Sequence, residues 1–231
     1  MNHDAALPAP PPRRTRQAVL LGLVALGIAG AAFVGRRPLL MSAPRCAAGR
    51  WHGCLDTFNG VVLVTLAAVP LALLVVWVLT RCRSAAGSSS AWRMSLAEVG
   101  IVHGTLPFVW MTMMPGASPG TAHGGVSLVP LQDLPTMGVV GIGGNLLVFA
   151  SLGFFAPLRF VALASAPRVL ALGAACSALI ETAQYVLCLD RVSSVDDVLV
   201  NAVGAALAAL ASRRWWRTGA QPPSGRPRPG E

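Results

Sequence analysis

Apolar residues in this chain fall in long runs, not in the alternating or one-sided patterns that soluble strands and helices need. Runs at about 18–34, 59–80, 95–114, 137–157, 169–189 and 195–211 are separated by short polar segments. A helix needs about 20 mostly apolar residues to cross the hydrocarbon of a bilayer. The pattern therefore predicts an all-α, polytopic membrane helix bundle with about six transmembrane helices. Pro70 falls inside the second run and is expected to kink that helix without ending it. The predicted organisation is a disordered tail over 1–16, helices one to three over 17–114, helices four to six over 115–212, and a basic tail over 213–231. Prolines 8 and 10–12 disfavour helix in the leader. Arginines ahead of the first run, with small residues at 29–32, also fit a secretory signal peptide. No distinct mature domain follows, so the run is read as a span.

Composition supports this class. Hydrophobic residues make up 54% and charged residues only 12%, about half the charged share of soluble domains. The net charge is +9, and all eighteen basic residues are arginine. They lie between the apolar runs, where topology requires them, so nucleic acid is not an expected partner. Counted by alternate loops, thirteen fall with the two termini and five on the other side. That bias puts both termini in the cytoplasm of a multi-pass protein of the cell membrane. Trp92, Trp215 and Trp216 lie near the inner boundaries, as an aromatic belt would. Cys46 and Cys54 then lie outside, eight residues apart, as candidates for a disulfide. Zinc is the rival reading, with His52 between them, but a fourth ligand is not apparent. No metal or cofactor is expected. Cys82, Cys176 and Cys188 read as unpaired, and His103 as a helix–helix contact.

Polar residues inside membrane helices are expensive, so each is a candidate for function. Glu98, at the inner end of the third helix, reads as facing headgroups. The second half of the chain holds the others: Asn145, Glu181, Gln184, Arg191, Asp196, Asp197 and Asn201. At about 100° per residue, Gly173, Ser177, Glu181, Gln184 and Cys188 share one face. So do Asp197, Asn201, Gly204 and Ala208, and likewise Gly138, Gly141 and Asn145. Polar residues share these faces with small ones, where helices approach closely. At 1.5 Å per residue, Asn145 and Glu181 lie about 12 Å below the outer surface and Asn201 about 9 Å. The expectation is one outer-leaflet polar pocket formed by Asn145, Glu181 and Asn201, with Gln184 on the same face as Glu181. Arg191 and Asp197 would sit above it as a lid.

The same residues carry a resemblance. Segments 127–131 (SLVPL), 145–155 (NLLVFASLGFF) and 177–205 (SALIETAQYVLCLDRVSSVDDVLVNAVGA) resemble the VanZ-like family of bacterial membrane proteins. The founding member of that family is associated with teicoplanin resistance. The likeness covers about 127–209. Carried over, the family's characteristic positions are Asn145, Phe149, Gly153, Glu181, Gln184, Arg191, Asp197, Asn201 and Gly204. Two positions depart from the pattern: Ser127 replaces an asparagine and Ser151 a proline. The resemblance implies a cell-envelope membrane protein linked to glycopeptide response, without naming a reaction.

Three functional classes follow. In the first, the pocket binds an amphiphile, such as a lipoglycopeptide antibiotic or a cell-wall lipid. Arg191 would then hold an acidic headgroup. In the second, the polar residues only lock helices together, with Gly153 and Gly204 as packing positions. In the third, Glu181 and Asp197 form an acid/base pair acting on a lipid-linked substrate. No nucleophile elbow, HExxH pattern or phosphate loop is present, so no catalytic residue is assigned. The bilayer is the expected partner; the sequence does not give an oligomeric state.

Overall fold

The computed structural model describes residues 26, 29, 30, 33, 36, 40–44, 46–48, 54–116, 119, 120 and 124–216. The first apolar run lies largely outside these residues, as do both predicted tails apart from 213–216. The chain divides into two compact units, 1–63 and 64–231. In the first, a disulfide joins Cys46 to Cys54. Gly60 lies so close to the Cys54 carbonyl that a side chain there would collide with it.

Seven helices are described: α1 (Phe58–Ala67), α2 (Val69–Ala85), α3 (Ala91–Thr112), α4 (Leu134–Val148), α5 (Ala150–Arg159), α6 (Ala166–Val186) and α7 (Val195–Ser212). Four spans are long and apolar enough to cross a membrane: α3, α4 with α5, α6, and α7 with the short turn after it. The pair α1 and α2 is long and apolar enough only when taken together, and it is bent by 41°, as a broken span or a re-entrant loop would be. The bend falls where Pro70 occupies the first turn of α2, since proline fits a helix start but breaks the ladder of a continuing helix. The second predicted helix is thus two helices across Pro70.

The fourth predicted helix is also broken, twice. Gly138 takes φ 65° and ψ 168°, far from helical values, a conformation open to glycine because it lacks a Cβ. The helix is interrupted again at Phe149, which separates α4 from α5, although the two together form one span.

The central element of the second unit is α7, which packs against α4, α5 and α6, while α3 bridges α2 and α5. Small residues make this possible. A Cβ on Gly153 would strike the backbone of Ala205, and one on Gly204 the backbone of Leu146. The core beside them is built from Val148, Phe149, Val169, Ala205 and Ala209. Elsewhere large apolar side chains face outward; Val139 is 88% exposed and Val140 90%. An apolar exterior of this kind suits lipid and not water.

The loop between α3 and α4 contains a strand. Residues Val126–Ser127 (β1) pair in parallel with Ser193–Ser194 (β2), which immediately precede α7. Gly116 N–H donates to the Leu189 carbonyl at 2.7 Å and Gly120 N–H to the Cys188 carbonyl at 2.9 Å. Gly124 leaves no room for a side chain against the Arg191 carbonyl. The glycines in this loop therefore let two backbones lie side by side.

At the opposite end, Glu98 pairs with both Arg83 and Arg159. The expectation that it faces headgroups alone is corrected: Glu98 joins α2, α3 and α5. Arg93 donates to the Trp215 carbonyl at the same end.

Candidate functional site

The buried line of α6 is Val169, Gly173, Ser177, Glu181 and Gln184, the face expected from helical spacing. Its polar members find partners at successive levels. Asn201 Nδ2 donates to Ser177 Oγ at 2.8 Å. One turn towards the loop end, the Glu181 carboxylate accepts from Ser194 N–H at 3.0 Å. Ser193 Oγ donates to the Glu181 main-chain oxygen, also at 3.0 Å. Near the end of α6, Gln184 Nε2 donates to the Thr112 carbonyl at 2.8 Å. Arg191 Nη1 donates to the same carbonyl at 3.2 Å, at the carbonyl-rich end of α3, where a cation is favoured.

Asn145 contacts neither Glu181 nor Asn201 through a hydrogen bond; its Nδ2 donates to Asp197 Oδ1 at 2.5 Å. The expected single layer is therefore a staircase. Asn145 and Asp197 meet across α4 and α7, Glu181 meets β2, Asn201 meets Ser177 a turn deeper, and Gln184 and Arg191 meet at Thr112. The depth estimate assumed a straight helix from 137, and the break at Gly138 removes that premise. Arg191 nevertheless acts electrostatically on both Glu181 and Asp197. Asn201 Oδ1 is buried with no hydrogen-bond partner among the described residues.

Sequence reasoning named Asp196 among the polar residues but gave it no place in the pocket. Asp196 is 1% exposed and accepts three backbone N–H groups: Leu131 at 2.5 Å, Asp133 at 2.8 Å and Leu134 at 3.1 Å. Leu131 has φ 65°, a left-handed conformation that costs a non-glycine residue about 1–2 kcal/mol. The bond to Asp196 offsets that cost. Ser194 caps α7 by accepting from Asp196 N–H at 3.2 Å and donates to Asp133 Oδ2 at 2.6 Å. The hydroxyls of Ser127 and Ser194 hold the Asp133 carboxyl below its usual range. A signal existed: serine two residues before an aspartate, at the start of an apolar run, is a helix N-cap pattern.

The two departures from the family pattern also take part in this internal bonding. Ser127 bonds Asp133, and Ser151 Oγ donates to the Gly100 carbonyl at 2.7 Å, joining α5 to α3.

Beside the staircase lies a cleft of about 400 Å³. Val126, Leu128, Tyr185, Val195 and Val198 supply apolar walls, and Glu181 and Ser193 supply polar groups. Of the six expected pocket residues, only Glu181 lines it. Among the described residues no cluster of His, Cys, Asp and Glu is arranged to hold a metal ion.

A bundle of spans with outward apolar faces, and acids and amides bonded between its last helices, defines a polytopic membrane protein. The VanZ/LLP1 family model matches residues 69–216, well over half of the chain, and the protein belongs to that family. The match takes in α2 and α3, upstream of the 127–209 stretch that carries the resemblance. No curated protein and no solved structure matches the chain.

Proposed function

We propose that this protein is a multi-pass component of the bacterial cell membrane that binds an amphiphile in the cleft beside Glu181. Both termini lie in the cytoplasm in this reading, so the cleft opens towards the outer leaflet. The observation that carries it is a carboxylate set among apolar walls. A membrane-buried carboxylate costs a few kcal/mol, more than helix-to-helix hydrogen bonds in membranes return. Helix locking accounts well for Asn145, Gln184, Arg191, Asp197 and Asn201, whose hydrogen bonds are internal. It accounts less well for Glu181, whose carboxylate accepts from Ser194 N–H and also lines the cleft.

The chemistry narrows the ligand. Arg191 donates to the Thr112 carbonyl and does not line the cleft, so it does not receive an acidic headgroup there. The cleft offers Glu181 as an acceptor, which suits a headgroup rich in hydroxyl or amino donors attached to an acyl chain. A lipoglycopeptide antibiotic such as teicoplanin, or a cell-wall lipid with a sugar headgroup, has that form. The enzyme reading gains no support, because Asp197 is bonded to Asn145 and lies outside the lining.

A drug panel at matched membrane levels tests the reading. Cells expressing the wild type should tolerate teicoplanin better than cells without the protein, at equal vancomycin susceptibility. Glu181→Gln and the cleft-filling Val198→Trp should remove that difference. Full retention of tolerance by both variants, or equal shifts for both drugs, would refute binding in the cleft.

A further inference from the structure

A second groove, of about 510 Å³, runs between α2 and α3 at the other side of the second unit. Its walls are apolar and include Leu71, Val75, Leu79, Val102 and Leu106, with His103 along one wall and Glu98 near one end. His103 lines this groove between the two helices. The groove reaches from Val64 to Leu79, roughly 20 Å at 1.5 Å per residue. That exceeds one leaflet of a hydrocarbon core about 30 Å thick. The 41° bend between α1 and α2 and Pro107 within α3 shape its far end.

Glu98 is the one charged residue in the lining, and two arginines stand behind it. Glu98 binds Arg83 and Arg159 together, so one carboxylate faces two guanidinium groups. The charge left over is positive beside an apolar channel of acyl-chain length.

We propose that the groove between α2 and α3 is a binding site for one anionic membrane lipid, with an acyl chain along Leu71, Val75 and Val102 and its phosphate at the Arg83–Glu98–Arg159 cluster. The apolar wall accepts a chain from any lipid; the charge selects the headgroup. This site is separate from the Glu181 cleft and does not depend on the function proposed for it.

The test uses the full-length protein in nanodiscs of equimolar phosphatidylglycerol and phosphatidylcholine, released into native mass spectrometry. Wild type should retain phosphatidylglycerol over phosphatidylcholine by about fivefold, the effect of one net arginine charge facing an anionic lipid. Val102→Trp should lower retention of both lipids by filling the groove. Arg83→Gln should remove the preference and leave total retention unchanged. Val139→Trp, on the outward face of α4, is the control and should behave as wild type. Equal retention of the two lipids by wild type would show annular contact only and overturn the proposal. So would wild-type retention in Val102→Trp, a variant that changes an exposed position and keeps the ion pairs intact.

Discussion

Asp196 carries more of the loop end than any other described side chain. Three backbone donors converge on its carboxylate, and hydrogen bonds to a charged group are each worth about 1.5–3 kcal/mol. Asp196→Ala strands those donors and releases Leu131 from its left-handed conformation. The expected loss is about 3 kcal/mol or more, read as a lower midpoint of thermal unfolding in a fixed detergent. Asp197→Ala, which removes one amide contact, should cost less than half as much; equal losses would show that the clamp is not what holds the loop. The pair of aspartates was legible in the sequence, but the division of labour between them was not. Neighbours on a helix point about 100° apart, and which one turns inward depends on the Ser194 cap and the pairing of β2 with β1. The cap is local, but the pairing joins residues more than sixty positions apart, beyond the reach of local pattern. Glu181 was legible because the spacing of Gly173, Ser177 and Gln184 puts it on a crowded face of one unbroken helix.

At the scale of elements, glycines decide how closely helices pack. Gly153 and Gly204 meet neighbouring backbone that cannot move aside, whereas Gly144 has open space where a Cβ would stand. Gly153→Ala and Gly204→Ala should therefore lower the unfolding temperature sharply. Gly144→Ala should raise it slightly, since alanine is favoured over glycine within a helix by about 0.5–1 kcal/mol. A Gly204→Ala protein as stable as wild type would contradict the close approach of α4 and α7. The helices α3, α6 and α7 follow from apolar runs alone. The breaks at Gly138 and Phe149 do not, because an apolar run records only that a segment avoids water. It says nothing of whether the axis stays straight, and Asn145 shifts from its expected neighbours for that reason.

For the whole molecule, the arginines divide the two ends. Arg83 and Arg159 gather around Glu98 at one end, where Arg93 also meets the Trp215 carbonyl, while the opposite end holds Asp133, Asp190, Asp196 and Asp197 with Arg191. With the arginine end inside, alkaline phosphatase should be active when fused after Gly120 and inactive when fused after Ser88. The reverse result would invert the protein in the membrane. The pairing of β1 with β2 has a consequence during synthesis. Residues 126–134 leave the ribosome more than sixty residues ahead of Ser193 to Asp196. At 5–20 residues per second that is a delay of about 3 to 12 s. Through that interval the earlier segment is without its pairing partner. A chain stopped short of Ser193 never acquires one, which makes that segment the natural point of attack for the proteases that clear incomplete membrane proteins.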